Sequence, residues 1–180
     1  MKFLFTPLLA SLAFVSCDFT ATNQQEATEQ ASEEQPFELT EIDTMGFRLT
    51  IAVPEDYRRG NELQIEMNEA YGQLEVRSGD VFQLEIIEET ADQEQLLLQL
   101  EQDLIFDFAV AEENEAGILY RQYLPQGGQE FWHFYLTAQH QNRHFIIRDA
   151  SMSELNEYQS RKMFEALSYA ILSRNSQSSV

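Results

Sequence analysis

Few side chains in this 180-residue chain could do chemistry. There is one thiol, Cys17. A thiolate can attack an electrophile, bind a soft metal or accept a lipid. Three imidazoles, His133, His140 and His144, fall in one short stretch. They could hold an ion only if the rings converged to about 2.0–2.1 Å of one point. The flanking Phe-Trp-His-Phe-Tyr and Phe-Ile-Ile runs favour strands. On a hairpin turning near 139–142, His140 sits in the turn, His144 starts the return strand and His133 lies well down the partner strand. That placement separates the rings, so no metal site is expected. The acidic pairs Asp103/Asp107 and Glu112/Glu113 could do acid–base work only if one carboxyl were buried. They flank a helix end and a turn and read as solvated charge. Arg143 and Arg148 read as surface partners of acidic helices rather than oxyanion binders.

No G-x-S-x-G elbow, P-loop, G-x-G-x-x-G, H-E-x-x-H or calcium loop occurs. No catalytic set, metal or cofactor is therefore expected, and the protein reads as a non-enzyme. Aromatic residues are dense at Tyr120, Tyr123, Phe131, Trp132, Phe134 and Tyr135. Cross-strand packing accounts for most of such a run. If a binding surface exists, Tyr120, Tyr123, Trp132 and Tyr135 are its candidates.

The context of Cys17 favours lipidation over catalysis. Lys2 gives a positive start, and Phe3 to Val15 give an apolar run broken by Thr6, Pro7 and Ser11. Ser16 puts a small residue before the cysteine. The run is too short for a transmembrane helix and has the layout of a secretory signal. Leu12-Ala13-Phe14-Val15-Ser16-Cys17 resembles the signal of bacterial lipoproteins. That class is cut before a cysteine whose thiol carries diacylglycerol. The resemblance implies a signal peptide over 1–16, an anchored envelope protein, and a folded part without a thiol. Acyl chains contribute about 0.8 kcal/mol per buried methylene, so two or three anchor stably. Neither membrane is favoured over the other.

Residues 17–36 follow as the lipidated cysteine and a tether rich in Gln, Glu, Thr, Ser and Ala. Such a segment buries too little apolar surface to offset its ordering entropy. A spacer between bilayer and domain is the expected role. Residues 175–180 read as a similar tail. Between them, 37–174 suit one domain. The chain carries 31 acidic and 11 basic residues, a net charge of −20. Nucleic acid is an unsuitable partner for that charge, as is direct docking on anionic lipid.

Alternation marks strands at 47–53, 63–67, 74–76 and 82–86, with Pro54 and Ser78-Gly79-Asp80 as punctuation. Thr90 and Gln93 have capping-box spacing, and a helix to Leu104 would bury Leu97, Leu100 and Leu104. Strands resume at 106–110, turn at 112–114, and continue at 118–123, 131–138 and 143–149. Ser151 and Glu154 suggest a second capping box. A last helix over 152–173 would bury Leu155, Tyr158, Phe164, Leu167 and Ile171. The order is four strands, helix, four strands, helix. It implies an α+β fold: an antiparallel β-sheet flanked by two main helices, an α/β/α sandwich.

The segment MGFRLTIAVPEDY (45–57) resembles the opening strand of the Mog1/PsbP-like superfamily. FWHFYLTAQHQNRHFIIRDAS (131–151) resembles its closing hairpin, and SELNEYQSRKMFEALSYAIL (153–172) its last helix. The resemblance covers nearly all of 45–172. It implies an accessory or binding protein with no shared catalytic set. The expectation is an envelope lipoprotein whose acidic domain binds an envelope protein partner. The alternatives are a small-molecule or lipid-binding module, or a hydrolase with a non-motif site.

Overall fold

The computed structural model describes residues 36–90, 92–150 and 154–177. The signal, Cys17, most of the tether, Ser151 and residues 178–180 lie outside the described residues. The elements are β1 (Phe37–Thr44), β2 (Phe47–Pro54), α1 (Glu55–Arg58), β3 (Leu63–Asn68), β4 (Gln73–Ser78) and β5 (Phe82–Glu88). They continue with α2 (Gln93–Glu101), β6 (Asp107–Asn114), β7 (Gly117–Tyr123), β8 (Glu130–His140), β9 (Arg143–Asp149) and α3 (Glu157–Gln177). β1 and β2 form a two-stranded sheet, and the other strands form a seven-stranded one in the order β3-β4-β5-β9-β8-β7-β6. Every neighbouring pair is antiparallel. The large sheet is two meanders joined only where β5 pairs β9. The α+β class and the antiparallel meanders expected from alternation are what the chain adopts.

Alternation sends one set of side chains to each face. Leu74, Val76, Leu84, Leu119, Phe134 and Ile147 bury one face of the large sheet. Ile42, Leu49 and Ile51 of the hairpin and Met163, Phe164 and Leu167 of α3 join them in the main core. Ala52, Ala166 and Ala170 form a buried small-residue cluster, which lets α3 sit close on β2. The helix opens with a reciprocal cap: Asn156 Oδ1 accepts from the Gln159 N–H at 3.0 Å, and Gln159 Oε1 accepts from the Asn156 N–H at 3.1 Å.

The other face is covered differently. Leu100 of α2, with Leu96 and Leu97, packs on Ile118, Tyr120, Tyr135 and Ile146. A nine-residue helix is about 13 Å long, whereas seven strands span about 29 Å. α2 therefore leaves the β3–β4–β5 side of that face open. This departs from the expected sandwich: the main core is closed by a helix and a separate hairpin, and the second helix is a partial cover.

Other elements differ from the sequence reading. β1 was not expected, because Leu39 is exposed and the two-residue turn uses Met45 at φ +51° in place of a typical turn residue. α2 is capped by Asp92, whose carboxylate accepts from the Gln95 N–H, and not by Thr90. It ends at Glu101, and Leu104 is fully exposed beyond it. β6 runs through 112–114, with a bulge between Val110 and Glu112 absorbing the irregular pattern read as a turn. α3 starts at Glu157 and continues to Gln177, into the stretch read as tail. Leu155 is buried ahead of the helix, while Tyr158 is exposed.

Candidate functional site

The open half of the sheet belongs to β3, β4, β5 and β9. Every second residue on these strands faces the core, and the remaining set is mostly polar, Ile87 and Ile146 excepted. In one cross-strand row Glu66 stands opposite Glu75, Glu75 opposite Glu85, Glu85 opposite Arg148, and Arg148 opposite Tyr135. Carboxylates directly opposite one another destabilise a sheet. Guanidinium groups offset that cost. Arg77 bonds Glu75, and Asn68 Nδ2 donates to the other Glu75 oxygen at 2.7 Å. Arg148 donates from two nitrogens to Glu85, at 2.9 and 2.8 Å. Glu85 is buried, so its charge depends on such partners.

These side chains line a groove of about 490 Å³, with Tyr71 and Gln83 among its other walls. Gln83 Nε2 donates to the Asp80 carbonyl at 3.0 Å, which holds its amide in place. Gln73 is 7% exposed, and among the described residues its side-chain amide makes no hydrogen bond. Tyr71 is 76% exposed on the loop between β3 and β4.

Next to the groove lies a hollow of about 140 Å³ lined by Leu96, Tyr120, His133, Tyr135, Arg148 and Asp149. Asp149 is buried at the end of β9. Its carboxylate lies 2.8 Å from His133 Nδ1 and accepts the Phe134 N–H at 3.1 Å. The Tyr120 ring lies 5.4 Å from the His133 ring. Burial, with Asp149 beside it, pushes the Tyr120 phenol far above its usual range. Burial, with Glu89 nearby, pushes Tyr135 up to about 12. Both phenols stay protonated at neutral pH, which suits hydrogen-bond donation and not nucleophilic attack. Arg148 also lines a third hollow, of about 120 Å³, and so stands where all three meet.

The four candidate binding aromatics divide between the two faces of the sheet. Tyr120 and Tyr135 share the hollow. Trp132 and Tyr123 lie on the opposite face by strand alternation. Trp132 packs against the main core, and the Arg121 guanidinium stands 5.1 Å from the Tyr123 ring. The histidines also part: His133 and His140 fall on opposite faces of β8, and His144 is exposed opposite Gln139. Arg143 bonds Glu88, and Arg148 bonds Glu85, so their partners are strand carboxylates on β5 and not acidic helices. Asp103 accepts the Ile105 and Phe106 N–H groups, and these hold its carboxyl below the usual range. Glu112 pairs with Arg161, and Glu113 accepts from Gln93.

Sequence reasoning missed the groove. Its only local signal is the outward polar set Gln73-Glu75-Arg77 and Gln83-Glu85 on successive strands. Nothing local brings Arg148 beside Glu85, some sixty residues away in the chain. Among the described residues no helix is long and apolar enough to cross a membrane. In comparisons with family models, curated proteins and solved structures, nothing matches this chain.

Proposed function

We propose that the chain is a membrane-anchored envelope lipoprotein, non-enzymatic, whose acidic domain is a binding module for a polar small molecule. The observation that carries the binding reading is the groove of about 490 Å³, which lies within the size range of small-ligand sites. Its walls are tied by ion pairs, so binding needs little new ordering. Lipid is a poor fit, because seven of the ten lining residues carry amide, carboxylate or guanidinium heads that a hydrocarbon chain would leave without partners, although Tyr71, Leu84 and Ala150 add apolar surface. A hydrolase would need a nucleophile beside His133, and the hollow there offers two protonated phenols. The anchor rests on the sequence around Cys17. Membership of the Mog1/PsbP-like superfamily is part of the proposal. Its support is the order of N-terminal hairpin, antiparallel strands and closing helix.

An accessory role toward an envelope protein is the second reading. It is favoured by exposed Leu98, Leu104 and Ile105, and by Val110 on β6, an unpaired edge of the large sheet. One experiment separates the two. A photo-crosslinking residue is placed in the cell at Gln83 in one strain and at Leu104 in another. The ligand reading expects low-mass adducts from position 83 and none from 104. A protein adduct from 104 alone would overturn it in favour of the accessory role. Intact mass of the purified protein tests the anchor: a chain beginning at Cys17 with diacylglycerol is expected, and the Cys17→Ala form should lack the lipid.

A further inference from the structure

Resting on the reading of the groove as a ligand site, we propose that its ligand is an uncharged carbohydrate. Four features of the groove converge on that class. The first is charge. Glu75 pairs with Arg77 and Glu85 with Arg148, so the charged groups lining the groove sum to zero in a chain of net −20. A phosphate or carboxylate ligand would call for excess cation, and a cationic ligand for excess carboxylate. Neither excess is present.

The second feature is the kind of polar group. The lining alternates amide, carboxylate and guanidinium groups, which together offer fixed donors and fixed acceptors side by side. A sugar hydroxyl is donor and acceptor at once, so neighbouring hydroxyls are satisfied by just such a mixture. Asn68, Arg77 and Arg148 are already oriented by hydrogen bonds to the two carboxylates. The third feature is Gln73. It is almost fully buried in the groove lining, yet its amide makes no hydrogen bond among the described residues. The amide is not sealed off from the groove, so its donor and its acceptor both stand open to a ligand hydroxyl.

The fourth feature is Tyr71, the exposed ring on the groove wall. Sugars carry an apolar C–H face as well as hydroxyls, and an aromatic ring covers that face. A peptide is a weaker fit. Extended peptides add along open strand edges, whereas this groove lies over the face of β4, β5 and β9 and meets the edge strand β3 only at its last residue, Asn68.

The test uses the full-length lipoprotein in a detergent without a sugar headgroup. Saturation-transfer NMR and titration calorimetry are run with chitotetraose, cellotetraose and maltotetraose. Inorganic phosphate and alanyl-glutamate serve as charged probes. At least one tetrasaccharide should bind. Tyr71→Ala should weaken it about tenfold, while Tyr71→Phe keeps the ring and the affinity. Gln73→Leu should weaken it by a similar factor, about tenfold, because one hydroxyl contact is lost. Sugar binding that ignores both Tyr71→Ala and Gln73→Leu would overturn the assignment, since the sugar would sit elsewhere. Binding of phosphate or dipeptide alone, lost in Arg148→Ala, would overturn the carbohydrate class and leave the groove reading intact. No binding by any probe would overturn both. Tyr71 is exposed, so Tyr71→Ala decides the matter even if Gln73→Leu fails to fold.

Discussion

Replacing Gly117 with alanine should damage the sheet that carries the candidate site, and the size of the effect can be worked out. Gly117 starts β7 opposite Leu136 of β8, at φ +156°. A Cβ built there would lie 2.0 Å from the Tyr135 carbonyl oxygen and 2.8 Å from the Leu136 Cα. Ordinary contact begins at 3.4 Å, so β7 and β8 would have to part by about 1.4 Å. Both obstacles are backbone, and no rotamer change relieves them. A ladder bond near 2.9 Å would then exceed 4 Å, which is no longer a hydrogen bond. Two lost ladder bonds cost about 1–3 kcal/mol, and a sparsely populated φ adds about 1–3 kcal/mol. The expected total of about 2–6 kcal/mol is a large part of the stability of a domain this size. Gly60→Ala is the control. Gly60 has φ +77° and nothing within 4 Å, so only the conformational cost of about 1–2 kcal/mol applies. Urea unfolding followed by circular dichroism measures both. Amide NMR of Tyr135 and Leu136 shows whether the register moved. If Gly117→Ala falls within about 0.5 kcal/mol of Gly60→Ala, the steric reasoning is refuted.

Three further outcomes follow from the same structure. Leu104→Ser should change stability by less than about 0.5 kcal/mol, because Leu104 is fully exposed, whereas Leu100→Ala should cost about 2 kcal/mol; equal losses would restore the longer helix. The fold raises the Tyr135 phenol from its usual 10 to about 12 and Tyr120 further, so their contribution to stability is complete below pH 10 and is lost as pH rises toward 12. Absorbance of phenolate should therefore rise together with loss of folded circular dichroism, and Tyr135→Phe should move that alkaline midpoint upward. His140 is held below its usual 6.5 by desolvation, with Arg174 and Arg48 nearby, so its contribution is full above pH 6.5 and falls as pH drops below it. In ring-proton NMR, His140 should titrate below 6.5, and Arg174→Ala should raise it.

The hairpins were legible because their information is local. Phe82-Gln83-Leu84-Glu85-Ile86 alternates cleanly, and so does Phe47 to Val53. Alternation sends Glu85 away from the main core to the second face, and it is buried there. Burial depends on what lies above a strand, which alternation does not report. Leu104 failed for the opposite reason: it keeps helical spacing with Leu97 and Leu100, but Asp103 captures the Ile105 and Phe106 N–H groups and turns the chain away. A side chain capturing backbone N–H groups wins over periodicity at a helix end. Tyr120 and Tyr135 were identified as candidate binding residues and do meet in a hollow. Trp132 and Tyr123 do not join them, because the period of two sends them to the other face.

The amino-acid sequence by itself determined every strand but β1, most of their facing, the acidic charge and the thiol at Cys17. Each of these is set by a residue and its near neighbours. Tertiary structure alone decided that β5 pairs β9. That pairing sets Arg148 beside Glu85 and so puts a β9 side chain in the same groove as Gln73, whereas His133 and Asp149 meet within the β8–β9 hairpin. Residues sixty positions apart meet only when two meanders join, and the join is chosen by burial of the whole apolar face against α3 and the β1–β2 hairpin.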